Sequence, residues 1–402
     1  MFSIFLLLGG LTVVPAAQAW GCKGHYITAL VAEKHINPNA WAIITQILDA
    51  GPIDPNLSRY CKETAGDPFA DSSTWADDER SINPSTGRWH FMDIPRGAAP
   101  GDISQYCPQT NGCVTKAIAD QLALLRDPNT PAAVRADALR YVIHFIGDLH
   151  QPLHTTSNND RGGNCVPVEF FGKPPSETNR QSESFQPNLH AIWDTNILAQ
   201  FAGDRTTQQL ADELDAKFKN QIPSWQSGSL DPKAWAWEGH EVAERAVYGS
   251  LPNKVAIEPP REVSSCADDD HIAMRMLNLN ETLADEYENA AAPVIQEQLT
   301  KAGIRLATIL NDLWPQFSAD RSARSLRKKR SAFVSRSLTP SPLPEHTATL
   351  ALQMLPADCR QTVPALSLDR IAPQLRHKQI SVSAASVWCC AHRWKQNAPS
   401  LA

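Results

Sequence analysis

Apolar residues recur at helical spacing through most of the chain. In "HYITALVAEKHI", residues 25–36, Ile27, Leu30 and Val31 followed by Lys34 give the two faces of an amphipathic helix. "RADALRYVIHFIGDLHQPLH", residues 135–154, is apolar at Leu139, Val142, Ile143 and Ile146, and Pro152 is expected to end that helix. A last core helix is predicted over residues 293–314, where Ile295, Leu299, Ile304, Leu306, Ile309, Leu310 and Leu313 keep the period. Strand patterns are scarce, and "VPVEFFG", residues 166–172, is the best of them. No internal repeat is visible. The pattern predicts a mainly α, single helical domain with long loops and little β structure.

Both ends differ from this body. Phe2 to Val14 is a short apolar run followed by Ala17-Gln18-Ala19, the small-x-small pattern of a signal-peptidase site, although no Lys or Arg precedes the run. Residues 1–19 are therefore read as a cleaved export signal, and nothing later in the chain approaches membrane-spanning length. After Phe317 comes "SADRSARSLRKKRS", then a stretch rich in Ser and Pro without periodicity. Residues 318–402 read as a poorly ordered tail, and a solvated linker is a better account of their basic run than a binding segment. The folded domain is thus expected over residues 20–317.

Nine cysteines suit an exported protein better than a cytosolic one. Cys107 and Cys113 bracket a short loop and are good local partners. Cys22, Cys61, Cys165 and Cys266 could form two more bridges whose pairing spacing cannot settle. Adjacent Cys389 and Cys390 are poor partners for each other. Asn56 and Asn280 lie in glycosylation sequons that matter only in a eukaryotic secretory pathway. A net charge of −6 argues against nucleic-acid binding by a broad basic surface, so a phosphate polymer would need local neutralisation, which bound metal could supply.

Such a metal site is suggested by "HFIGDLHQPLH", residues 144–154. His144 and Asp148 are four residues apart and share a helical face, and His154 can fold back after Pro152. "HAIWD" repeats the spacing with His190 and Asp194. One such pair alone is better explained as a helix-surface hydrogen bond; two pairs with further histidines make a ligand set suited to zinc. Asp77 in "TWADDER", His90 in "RWHFMD" and His25 then become candidates as well. His150 matches no ligand position. His35, His240 and His271 read as ordinary core or surface residues, since "HEVAE" at His240 lacks the second histidine of a metalloprotease helix.

In their order along the chain, Trp20 with His25, "WAD" with Asp77, "WHFMD", "HFIGDLHQPLH", "DRGGN" and "NLHAIWD" resemble the zinc-dependent nucleases of the S1/P1 family. That family includes 3'-nucleotidases and is related in fold to bacterial phosphatidylcholine-hydrolysing phospholipase C. The resemblance covers Trp20 to about Trp314 and implies three zinc ions. The first would take Asp77, His90, His144 and Asp148, and the second His154, His190 and Asp194. The third would take His25 with the amine and carbonyl of Trp20, which requires cleavage just before Trp20, and Asp148 would bridge it to the first. It further implies a zinc-activated hydroxide attacking phosphorus in line, with Asp77 orienting the nucleophile and Arg80 stabilising the transition state. Phe91 would stack on a base whose edge Asp93 and Asn164 bind, with Asp160, Arg161, Gly162 and Gly163 shaping the loop that presents Asn164.

The function so implied is endonucleolytic cleavage of single-stranded DNA or RNA to 5'-phosphate products, with 3'-nucleotidase activity, by a secreted or periplasmic monomer. Two rivals stay open: a phospholipase C or general phosphoesterase on the same zinc site, and a non-catalytic zinc-binding protein.

Overall fold

A computed structural model describes residues 20–316, apart from 111, 176–185, 262, 264–265 and 267–281. The expected leader, residues 1–19, the expected tail, residues 318–402, His271 and Asn280 lie outside the described residues. The described chain is a single helical domain. Its helices are α1 (Cys22–Glu33), α2 (Pro38–Ala50), α3 (Pro68–Ser72), α4 (Trp75–Ile82), α5 (Val114–Arg126) and α6 (Ala132–Leu149). A seventh, α7, runs over residues 189–202 and passes through a π-helical stretch, Ile192–Asn196. It is followed by α8 (Thr207–Phe218), α9 (Ile222–Ser227), α10 (Pro232–Val242) and α11 (Asp285–Leu313).

Starts are set by local chemistry. Asn37 accepts hydrogen bonds from the Asn39 and Ala40 amides ahead of α2, with Pro38 in the first turn, and Thr206 with Gln209 forms a reciprocal capping box on α8. α6 stops at Leu149, and a single tight turn, Pro152–His154, brings His154 back, as Pro152 requires.

Three expectations shift. The first helix starts and ends three residues earlier than residues 25–36. The last begins at Asp285, so Pro293 lies inside it rather than starting it. Asp285, Glu286 and Glu288 favour the positive end of a helix there, and buried Tyr287 ties the extra turns to the core. The predicted strand shrinks to β1 (Glu169–Phe170), paired in parallel with β2 (Thr282–Leu283).

α11 lies along α1 and α6, α1 also packs on α8, and α5 packs on α6. This central α1–α6–α11 layer carries the core, and α1 and α6 also carry His25, His144 and Asp148. Among the described residues three disulfides close the fold: Cys107–Cys113 as expected, with Cys22–Cys61 and Cys165–Cys266 as the other two pairs. Among the described residues no helix is long and apolar enough to cross a membrane.

Candidate metal centre

Buried histidines and aspartates from six segments converge beside Trp20. Three groups each place donor atoms within 4.8 Å of one another: His25, Asp77 and His144; His90, His144 and Asp148; and His154, His190 and Asp194. Asp148 stands in the middle. Its Oδ1 faces His25 Nε2 at 3.3 Å, while Oδ2 faces His90 Nδ1 at 2.9 Å and His144 Nε2 at 3.2 Å. Asp77 Oδ1 lies 3.8 Å from His90 Nδ1 and 3.9 Å from His144 Nε2, and Arg80 Nη2 approaches the same oxygen at 3.4 Å. Among the described residues Asp77 Oδ1, Asp148 Oδ1 and both His25 nitrogens are buried without a hydrogen-bond partner, which is costly unless something else satisfies them.

Backbone carbonyls fix the rings. His144 Nδ1 donates to Ser73 O at 2.6 Å, His154 Nδ1 to His90 O at 2.7 Å and His190 Nδ1 to Gly162 O at 2.6 Å. A carbonyl only accepts, so each Nδ1 carries hydrogen and each Nε2 of a neutral ring presents a lone pair to the centre. His154 and His190 Nε2 atoms face each other at 3.2 Å. Burial lowers the proton affinity of both rings, His190 to about 3, so neither is charged at neutral pH. Two lone pairs so placed repel. Burial drives Asp194 well above the usual carboxylate range, but a proton there could relieve only one of them. A cation shared with Asp194 Oδ2, 3.2 Å from His190 Nε2, would satisfy all three atoms. The residues present therefore fit a metal, and imidazole with carboxylate suits zinc.

The other groups settle differently as protein alone. Burial opposes a charge on His144, yet Asp148 and Asp77 raise its pKa to about 9. Burial equally opposes a charge on Asp148, but the His144 charge, with a hydrogen bond from His90 and the approach of His25, holds its carboxyl well below the usual range. Without metal these shifts favour a proton between the ligands, one that a metal would displace on entering.

The elements explain the positions. His144 and Asp148 sit one turn apart on α6 as expected. His190 and Asp194 also meet, although the helix there widens into the π form, a local distortion frequent at functional sites. Trp20 is wholly buried, and the Gly21 amide donates to Asp194 O at 2.9 Å, tying residues 20–21 to the third group. A Cβ on Gly147 would lie 3.0 Å from His25 Nδ1, a contact tight enough that the His25 ring would have to give by a few tenths of an ångström.

The expected base-binding residues are only partly brought together. Asp93 lines a cavity of about 340 Å³ with Arg88, Asn159, Arg161 and Arg261. Neighbouring protein atoms push its pKa up to about 6, although the side chain keeps 40% of its exposure. Phe91 and Asn164 are not among the cavity's lining residues. The Arg88 guanidinium lies over the Phe91 ring, 5.5 Å from its centroid, and the Asn164 amide folds back onto Arg161 O at 2.8 Å. The loop before Asn164 is nevertheless well anchored: buried Asp160 accepts from the Asn158 and Gly163 amides and from the Tyr248 hydroxyl at 2.7 Å.

Against the S1/P1 Nuclease family profile, residues 20–315 match. The chain belongs to the S1/P1 nuclease family. Among its relatives, Nuclease S1 of Aspergillus oryzae is 28% identical over 316 residues, covering 75% of this chain and 94% of that protein. Nuclease P1 of Penicillium citrinum is 26% identical over 310 residues, covering 73% and 97%. Endonuclease 2 of Arabidopsis thaliana is 26% identical over 313 residues, covering 76% and 93%. This S1/P1-family protein is a nuclease, a hydrolase acting on nucleic acids.

Several partners of the centre carry no motif signature of their own. Gln151, inside "HFIGDLHQPLH", is buried; its Nε2 donates to Asp194 Oδ1 at 2.5 Å and its Oε1 accepts from the Leu153 amide at 2.6 Å. His150 is buried between Ile146 O and Arg305 Nη1, and Arg305 and Lys301 both reach Glu238. His240 meets Thr156, and His35 meets Asp215. The neighbour of a ligand is a modest signal for Gln151, whereas carbonyl partners leave no side-chain signature at all.

Proposed function

We propose that the chain is an exported trinuclear-zinc phosphodiesterase. It cuts single-stranded DNA and RNA endonucleolytically to 5'-phosphate products and also removes phosphate from 3'-nucleotides. The observation that carries this reading is the 3.2 Å approach of the His154 and His190 Nε2 lone pairs beside Asp194, with both Nδ1 atoms already committed to carbonyls. Asp77, His90, His144 and Asp148 would hold one zinc, His154, His190 and Asp194 a second, and Trp20 with His25 and Asp148 a third. Bound zinc supplies a hydroxide nucleophile at neutral pH and positive charge against phosphate. Asp77 orients the attacking water. Arg80, 3.4 Å from that carboxylate, is placed to share negative charge as it builds on phosphate oxygens. Asp93, with Phe91 and Asn164, receives an unpaired base, which a duplex cannot offer without flipping it out.

In this reading residues 1–19 are an export signal, 20–317 the nuclease domain and 318–402 a tail. The protein works as a monomer outside the cytoplasm, where its disulfides persist. The test uses secreted protein whose N-terminus is sequenced. Hydrolysis of single-stranded DNA, its duplex and phosphatidylcholine vesicles is compared with zinc and after chelation. Zinc-dependent cutting of the single strand, slower on duplex and absent on lipid, is expected. Lipid cleavage without DNA cleavage would instead assign a phospholipase, and zinc binding without any hydrolysis a storage protein.

A further inference from the structure

The segment leading toward α3 and α4 is held by three successive residues. Arg59 pairs with buried Asp78, Nε 2.5 Å from Oδ2, and its Nη2 donates to Asp71 O and to the Thr74 hydroxyl. The Tyr60 amide donates to Asp78 Oδ1 at 2.6 Å. Cys61 is bonded to Cys22, two residues beyond Trp20. Slightly later, the Glu63 carbonyl accepts from the Tyr26 hydroxyl at 2.7 Å. Side chain, backbone and covalent bond therefore fix residues 59–61 in turn.

What these anchors leave in solvent is the Tyr60 side chain, 54% exposed. A single exposed aromatic is ordinary on a protein surface and needs no explanation. Two observations set Tyr60 apart. Its backbone is bound to the residue directly after Asp77, and its phenol lies within the electrostatic reach of both Asp77 and Asp194. Its backbone therefore belongs to the segment bound to α4 directly after Asp77, close to the candidate metal centre, while Tyr60 forms no part of the Asp93 cavity wall.

An exposed aromatic side chain on an anchored backbone near a phosphate-attracting centre fits one chemistry well. An unpaired base stacks on it with little regard for sequence. A 3'-nucleotide carries only the base on the 5' side of its scissile bond, so the 3'-nucleotidase activity proposed above assigns that base to Phe91 and Asp93. The base on the 3' side, whose nucleotide departs with the 5'-phosphate, is still without a partner. We propose that Tyr60 is the stacking platform for the base immediately 3' of the bond that is cut. This inference rests on the phosphodiesterase reading. It makes Tyr60 a substrate-positioning residue, sequence-tolerant, and engaged by strands rather than by 3'-mononucleotides.

The test uses the full-length secreted, zinc-loaded protein and two dinucleoside monophosphates with a single cleavable bond. They differ only in whether the 3' residue carries a base or is abasic. Wild type should show a lower KM for the base-bearing compound by roughly 5- to 150-fold, the range for stacking one base on an aromatic ring, with kcat little changed. Tyr60→Ala should erase that preference and Tyr60→Trp should keep it, with zinc content measured for each variant. Equal KM values in wild type, a preference that survives Tyr60→Ala, or a Tyr60→Ala loss that is the same on both compounds would each overturn the proposal. Wild type that cuts neither compound sinks the phosphodiesterase reading itself, and this inference with it.

Discussion

Replacing Gln151 by leucine isolates the support of the His154, His190 and Asp194 group. The substitution keeps the volume and removes both ends of the amide. Asp194 Oδ1 loses its 2.5 Å donor and the Leu153 amide its 2.6 Å acceptor, at a position with no solvent access. Burial holds Asp194 well above the usual carboxylate range in metal-free protein, so both hydrogen bonds count as neutral ones of about 0.5–1.5 kcal/mol each. The metal-free variant should therefore unfold with about 1–3 kcal/mol less free energy, read from urea or guanidinium midpoints. Orientation of a ligand by such an outer partner is worth about 10- to 100-fold in metal affinity. Zinc titration should accordingly show one weakened site while the sites around Asp148 keep theirs. Gln151→Glu, which retains an acceptor for Leu153 but sets a second carboxyl against Asp194, should weaken the same site in metal-free protein's stability and in zinc affinity. Unchanged midpoints together with unchanged zinc affinity in Gln151→Leu would refute the reasoning.

Three further outcomes are expected. Gly162→Ala must place a Cβ 2.4 Å from Leu153 O at a φ of +61°, on the peptide whose carbonyl orients His190, so both the melting temperature and zinc binding at that group should fall; calorimetry and metal titration check this. Loop-closure entropy gives about 4.7 kcal/mol for a bridge closing on the order of 100 residues and about 2.2 kcal/mol for one closing roughly 6. Cys165→Ala/Cys266→Ala should thus destabilise more than Cys107→Ala/Cys113→Ala in denaturant titrations. Burial opposes the charge on Glu238, but Arg305 and Lys301 bring its pKa down from 4.5 to about 2. Because the folded value is the lower one, the contribution is full above pH 4.5 and is lost as the pH falls toward 2. The stability gap between wild type and Glu238→Gln should narrow over that window, and a gap that stays constant would contradict the assignment.

Local patterns carried much of the architecture. Helical periodicity is a property of neighbouring residues, so α6, its end before Pro152 and the shared face of His144 and Asp148 could all be read directly. The short Cys107–Cys113 loop was legible for the same reason, as both cysteines are near in sequence. Pro293 misled because proline is a local stop signal, whereas the acidic turn and buried Tyr287 extend the helix past it through electrostatics and packing.

Tertiary structure alone decided which distant groups meet. The pairing of Cys22 with Cys61 and Cys165 with Cys266 depends on the packing of separate segments, and four cysteines allow three pairings. The carbonyls of Ser73, His90 and Gly162 that fix three imidazole tautomers come from a group every residue possesses, so no side-chain pattern announces them. The π turn at Asp194, the retreat of Asn164 onto Arg161 O and the anchoring of exposed Tyr60 likewise depend on contacts between separate segments. Sequence thus determined the donor types and their local spacing; packing determined the protonation, orientation and outer partners of those donors, because these depend on distances that periodicity does not encode.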